Sequence, residues 1–255
     1  MDVALLLTMS PQWRSLIIPL ARRAREAVWP ALAKQYRANP SKVSGFRLKA
    51  LGIADLSYRP NFAALANAID HTLNLDGSVI ECGVFRGGTL LGMAHRLALH
   101  GRGDVGLIGC DSFQGFPAPT EEDALEDGTF HERALQGVYS DTSCEALWAR
   151  LCALGYAKNI KLVRGFFSDT LPSLGDLRFR LVHLDCDLYE SYVTCLNFLY
   201  PRLVSGGYMV FDEYDLAAAA YPGAQKAIDH FLADKPEKLE RRGDGPHTRC
   251  FIVKR

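Results

Sequence analysis

A chain of 255 residues, 48% hydrophobic and 23% charged, can bury one large α/β core, or one such domain with an N-terminal extension. Lys+Arg and Asp+Glu both number 29. The net charge of zero argues against a general affinity for nucleic acid and removes charge as a barrier to self-association, so a homo-oligomer is expected. The seven cysteines form no CxxC pair and several sit in apolar runs such as VIEC and LIGC, which argues against a zinc or disulfide framework and for reduced, buried thiols in a cytoplasmic protein.

The first residues, MDVALLLTM, only faintly resemble a signal sequence, because Asp2 stands where a basic n-region belongs and the apolar run is short. No run reaches the roughly 18 apolar residues of a membrane span. Residues 11–37 mix apolar and basic positions, with Arg14, Arg22, Arg23, Arg25, Lys34 and Arg37 against Glu26, and Pro30 is placed to break or kink a helix. Such a helix can lie on a membrane or cover a substrate. Packing on the main domain or on a partner subunit is the commoner use of the pattern and is preferred. Residues 1–55 are therefore read as a helical extension that shapes an acceptor pocket or an oligomer interface.

From residue 56 a single domain is expected. Phe62, Leu65, Ala66, Ile69 and Leu73 mark one face of a helix over 59–73. Apolar strands follow at 78–82, 105–110, 160–164, 180–185 and 207–212, with helical stretches at 88–100, 142–154, 189–200 and 223–233 between them. That alternation predicts an α/β fold with a mostly parallel sheet covered on both faces. The closing TRCFIVK reads as an edge or antiparallel strand. Residues 113–141, rich in Pro, Gly and Ser and carrying TEEDALED, break the rhythm; they fit a lid over a site and equally a solvated surface loop.

Four motifs carry chemistry. VIECGVFRGGTLL (79–91) runs a strand into a glycine turn and a helix; its spacing is not the G-x-G-x-x-G of a dinucleotide site. Gly83 and Gly87 allow close backbone approach, and Glu81 beside them suits a cationic amine such as the methionine end of S-adenosylmethionine better than a pyrophosphate. A turn with no ligand is the plainer reading. In LIGCDSFQGFP (107–117), Asp111 ends the second strand and can accept from both ribose hydroxyls, or merely cap its own turn. In LVRGFFSDTLP (162–172), Phe166 and Phe167 can lie along an adenine, with Ser168 or Asp169 at its edge, or can be core. The sharpest pair is HLDCDLYES (183–191) with VFDEYD (210–215). Asp185, Asp212 and Glu213 end neighbouring strands about 5 Å apart, where like charges need a cation, and hard oxygens select Mg2+, Ca2+ or Mn2+. Asp187 stands two residues on, in position to act on a substrate. Helix N-capping explains one of these acids at most.

With ECGVFRGG, CDSFQGFP, GFFSDTLP, HLDCDLYES, FDEY and PGAQKAIDHF in this order, residues 56–254 resemble the macrocin-type sugar O-methyltransferases, including the mycinamicin and novobiocin enzymes. The resemblance implies a Rossmann-like class I methyltransferase sheet of seven strands with a reversed last strand, binding S-adenosylmethionine. It implies that Glu81, Gly83 and Gly87 hold the methionine part, Asp111 the ribose, and Phe167 and Ser168 the adenine edge, with Thr89 and Ser112 also among the cofactor-binding residues. Asp185 then borders the cofactor and, with Asp212 and Glu213, holds a divalent cation, taken as Mg2+, while Asp187 is the general base and His131 in the loop its understudy. The metal pair here is Asp-Glu rather than Asp-Asp; a longer carboxylate can still ligate. The expected substrate is a small-molecule hydroxyl, with a sugar of a glycosylated natural product preferred and neither nucleic acid nor membrane as partner. A catechol-type enzyme would commonly carry a lysine where Leu188 stands, a nicotinamide oxidoreductase would need the missing phosphate loop, and a binding protein would not need the acids.

Overall fold

Seven strands form one sheet: β1 (Ser78–Cys82), β2 (Leu107–Asp111), β3 (Ile160–Arg164), β4 (Phe179–Leu184), β5 (Leu203–Phe211), β6 (Glu240–Arg242) and β7 (Arg249–Val253). The computed structural model describes residues 27–57, 62–215, 219–243 and 248–255. The strand order is β3-β2-β1-β4-β5-β7-β6. The first five strands pair in parallel, and β7 runs antiparallel to both β5 and β6. TRCFIVK thus lies inside the sheet, with β6 covering its outer side. β5 starts four residues before the predicted Gly207, because Gly206, at φ +76°, carries an irregular start past the register shift in β4.

The strands read as unbroken apolar runs because both faces are covered. Val79, Leu107, Leu181, Val210 and Phe251 enter one core cluster, and Ile80, Ile108, Val182, Met209 and Ile252 enter the other. The first face carries a helical run over 27–38 (α1), then α2 (Gly45–Leu51), α3 (Ala63–Thr72), α4 (Gly88–Leu99) and α5 (Cys144–Leu154). The second carries α6 (Phe167–Thr170), α7 (Tyr189–Leu199) and α8 (Pro222–Leu232). Sequence chemistry marks several ends: Ser143 accepts from the Ala146 amide at the start of α5, and left-handed Gly155 stops it.

The extension is described from residue 27, and the basic positions before that lie outside the described residues. Pro30 falls inside the helical run of α1. Ala33, Tyr36, Leu48, Leu51 and Ile53 are buried in the same cluster as Leu90, Leu91 and Met93 of α4. The Ala54 amide donates to the Gly88 carbonyl at 2.9 Å. Residues 27–56 therefore share the main core instead of building one of their own. No described helix is long and apolar enough to cross a membrane. All seven cysteines are free thiols, five of them buried.

Strand order reverses between β1 and β4. In open α/β sheets a crevice opens there, outside the carboxyl ends of the strands. The Asp185 amide donates to the Cys82 carbonyl at 2.9 Å, and the Asp212 amide to the Leu184 carbonyl at 2.9 Å, so the ends of β1, β4 and β5 share one rim.

Candidate active site at the sheet switch point

At the end of β1 the chain turns through Gly83, at φ +89°, so close to β4 that a Cβ would overlap the Asp185 carbonyl oxygen. Asp111 holds this turn. Its Oδ2 accepts the Val84 and Phe85 amides, each at 2.8 Å, and its Oδ1 accepts the Phe113 amide at 2.7 Å. Asp111 thus caps its own turn and also braces the glycine turn. A carboxylate has about four lone-pair positions, so capacity for a ribose hydroxyl remains. Gly87 adopts φ +74° and leaves no room for a side chain beside Leu147, which makes it a packing glycine at the head of α4.

A cavity of about 520 Å³ opens over this rim. Among the residues expected there, Gly83, Asp111, Ser112, Phe167, Ser168, Asp185 and Asp187 line it. Phe166, 37% exposed, also faces it, while Phe167 packs partly into the core. Glu81, Gly87, Thr89, His131, Asp212 and Glu213 are not on its wall. Glu81 is 1% exposed and lies 3.0 Å from His183 Nδ1, with its other oxygen buried and without a hydrogen-bond partner among the described residues. Burial pushes the Glu81 carboxyl up. Burial alone would lower His183, but the Glu81 carboxylate outweighs it and raises the imidazole. This pair sits behind the cavity wall, with one Glu81 oxygen turned to His183. His131 accepts from the Arg133 amide at 3.2 Å and caps a short turn of the loop, outside the cavity wall.

Asp185, Asp187 and Glu213 each bring a carboxylate oxygen within 4.8 Å of the others. Burial first, and then the negative charges of Asp212 and Glu81, raise Asp185 to about 7; burial followed by repulsion from the neighbouring acids lifts Asp187 and Glu213 well above the ordinary carboxylate range. The Tyr192 hydroxyl donates to Glu213 Oε2 at 2.7 Å, and Asp187 adopts φ +62°, a conformation that costs a non-glycine residue energy and collects at functional sites. Asp212 ends β5 as expected, yet its side chain meets Arg249 of β7, whose Nε donates to Oδ1 at 2.7 Å and whose second contact reaches Oδ2 at 3.3 Å. Three acids therefore converge where Asp185, Asp212 and Glu213 were expected, with Asp187 in the place of Asp212. A half-buried set of hard oxygens that repel one another fits a divalent cation. Capping does not compete for them, because the Tyr189 amide at the head of α7 bonds to Asp123 instead.

The loop over 113–141 is built, not structureless. Phe116 and residues 137–138 exchange backbone bonds of 3.0 and 3.1 Å at its neck. Phe85, Phe116, Tyr139 and Tyr221 form an edge-to-face chain with centroids 5.2 to 6.3 Å apart, and the Tyr139 and Tyr221 hydroxyls lie 3.1 Å from each other. Tyr221 also lies close enough to Asp187 for each to shift the other's pKa. Sequence reasoning passed over Asp123, Tyr139, Tyr192, Tyr221, His183 and Arg249. Each meets a group far along the chain, and no local spacing marks it.

Comparison with known proteins follows this geometry. A family model described as Macrocin-O-methyltransferase (TylF) matches residues 56–239. Mycinamicin III 3''-O-methyltransferase of Micromonospora griseorubida is 28% identical over 169 residues, 66% of each chain. Demethyldecarbamoylnovobiocin O-methyltransferase of Streptomyces niveus is 29% identical over 177 residues, 67% of this chain and 65% of that one. This chain thus spans just under two thirds of the length of these relatives. The solved O-methyltransferase NovP superposes with a TM-score of 0.63 at 26% identity, over 76% of this chain and 79% of that one. The calicheamicin methyltransferase CalS11, at 21% identity and a TM-score of 0.61 over 99% and 96% of the two chains, has the same fold. With most of the domain matched, the chain belongs to the macrocin O-methyltransferase family.

Proposed function

We propose that this protein transfers a methyl group from S-adenosylmethionine to a hydroxyl of a small molecule, a sugar of a glycosylated natural product, with a divalent cation, Mg2+, at the acid cluster. The observation that carries the reading is the cavity at the switch point. Its wall joins a glycine turn braced by Asp111 to Asp185 and Asp187 past the end of β4, and Glu213, past the end of β5, brings a carboxylate oxygen within 4.8 Å of theirs. The relatives named as methyltransferases of mycinamicin and novobiocin supply the acceptor class. Leu188, where a catechol-type enzyme commonly carries lysine, is buried at 1% exposure and offers no base.

Asp185 and Glu213 would hold the cation, and Asp212, whose carboxylate pairs with Arg249, would add its negative charge beside them. Bound there, the cation supplies Lewis-acid charge that lowers the pKa of an acceptor hydroxyl. Asp187, on the cavity wall, takes the hydroxyl proton while the oxygen forms its bond to the methyl carbon and the carbon–sulfur bond breaks. Tyr221, beside Asp187, lowers a carboxyl pKa that burial raises. The aromatic chain from Phe85 to Tyr221 walls off water on the loop side.

The test compares metal and base roles. Excess EDTA abolishes transfer, Mg2+ or Mn2+ restores it, and calorimetry finds S-adenosylhomocysteine bound in both conditions. Asp185→Asn loses Mn2+ affinity. Asp187→Asn keeps it, while kcat falls by roughly the 10²–10⁴ of a lost general base. Full activity in EDTA refutes the cation; lost Mn2+ affinity in Asp187→Asn would make Asp187 a ligand and move the base elsewhere.

A further inference from the structure

Asp123 belongs to the acidic stretch TEEDALED, yet it is 1% exposed. A buried carboxylate persists only with partners. Its Oδ2 accepts from the Thr120 amide at 2.9 Å and from the Thr120 hydroxyl at 3.2 Å. Its Oδ1 accepts from the Tyr189 amide at 2.8 Å. Tyr189 opens α7, whose own N-cap residue, Leu188, supplies no side-chain acceptor. The cap of this helix therefore comes from the loop, and its negative charge meets the positive end of the helix. The same carboxylate presses on α8: a Cβ at Gly223 would overlap its Oδ1. Beside it, Lys226 Nζ donates to the Glu122 carbonyl at 2.6 Å.

Tyr189 lies two residues past Asp187, in the turn whose left-handed backbone aims Asp187 into the cavity. We propose that Asp123 is a positioning residue for the acid site: by capping α7 from within the loop, it makes seating of the loop and alignment of the Asp185–Asp187 turn a single event. The inference rests on the reading of that turn as the cation and proton-acceptor site. It assigns a role to the acidic stretch that a solvated loop would not have. A cap in the loop, unlike one at Leu188, withdraws its support whenever the loop lifts.

The experiment uses three variants of the full chain and Mn2+ alone as the metal probe. Asp123→Ala lowers both Mn2+ affinity and kcat by roughly tenfold, the scale of one lost hydrogen bond to a charged group. S-adenosylhomocysteine affinity is unchanged, because Asp123 does not line the cavity. Asp123→Asn keeps an oxygen acceptor for the Tyr189 amide and restores most of both losses. Gly223→Ala favours its helix but displaces the Asp123 carboxylate, so it reproduces the Asp123→Ala defect in a folded protein. Wild-type Mn2+ affinity and kcat in both Asp123→Ala and Gly223→Ala overturn the proposal. If the wild type itself binds no Mn2+, the reading of the acid site fails separately. Amide hydrogen exchange then judges Asp123: Asp123→Ala must lose protection over residues 185–190 and 116–138 together, and unchanged protection there refutes the role.

Discussion

Gly83 shows how one missing side chain places two halves of a site. Its φ of +89° is strained for any other residue, and its α-carbon lies against the Asp185 carbonyl at the end of the neighbouring strand. Alanine there meets both penalties at once. Gly83→Ala is expected to cost about 1–3 kcal/mol of stability, as overpacking does, and to part the glycine turn from the acid rim. Denaturant unfolding measures the first effect and calorimetric titration with S-adenosylhomocysteine the second. Wild-type values for both would mean that the turn does not depend on this contact. Asp111 works in the same place by a different means, since three backbone amides converge on one carboxylate.

Among the elements, α1 is tied to α4 by a polar contact inside an apolar interface. The Tyr36 hydroxyl lies 2.9 Å from His95 Nδ1 and also meets the Tyr156 hydroxyl, and both Tyr36 and His95 are buried. Burial disfavours the charged imidazole and lowers the His95 pKa, a shift that Asp55 only partly opposes. The unfolded chain holds this proton up to about pH 6.5, whereas the folded protein releases it at a lower pH. Between the two values the unfolded state binds more protons, so stability falls as pH drops below about 6.5 toward the folded value. Urea unfolding at pH 8 and pH 5.5 should show a smaller loss in His95→Gln than in the wild type. An equal loss in both would assign the acid sensitivity to other groups.

For the molecule as a whole, the acid cluster joins the ends of β4 and β5, so a bound cation reports on the entire fold. Ligand binding to the native state alone stabilises by about 2.7 kcal/mol at one hundred times Kd. At about 2–4 °C per kcal/mol for a domain of this size, Mg2+ should raise Tm by roughly 5–10 °C. Asp185→Asn should show no such rise, and a shift that survives in that variant would place the cation elsewhere. The sheet makes this coupling possible, because β1, β4 and β5 are hydrogen-bonded neighbours although Cys82 and Asp212 are 130 positions apart.

The chain's own pattern carried the class of fold, the position of most strands and helices, and the acids that gather past the ends of β4 and β5. Those features rest on local chemistry: apolar runs that bury both faces of a strand, glycines at turns, and carboxylates one residue past a strand end. VIECG, LIGCD and HLDCD each announce a strand and the residue that leaves it. Side-chain direction at the rim was not local and could not be read this way. Whether Asp212 faces a cation or Arg249 depends on the antiparallel return of β7, and whether Glu81 meets a ligand or His183 depends on the pairing of β1 with β4. The loop that reads equally as a lid and as a solvated surface is seated by Asp123 on α7, a bond across 66 positions. Burial, charge and hydrogen bonding between distant segments decided these points, because the free energy of a buried polar group depends on partners that only the folded chain brings within reach.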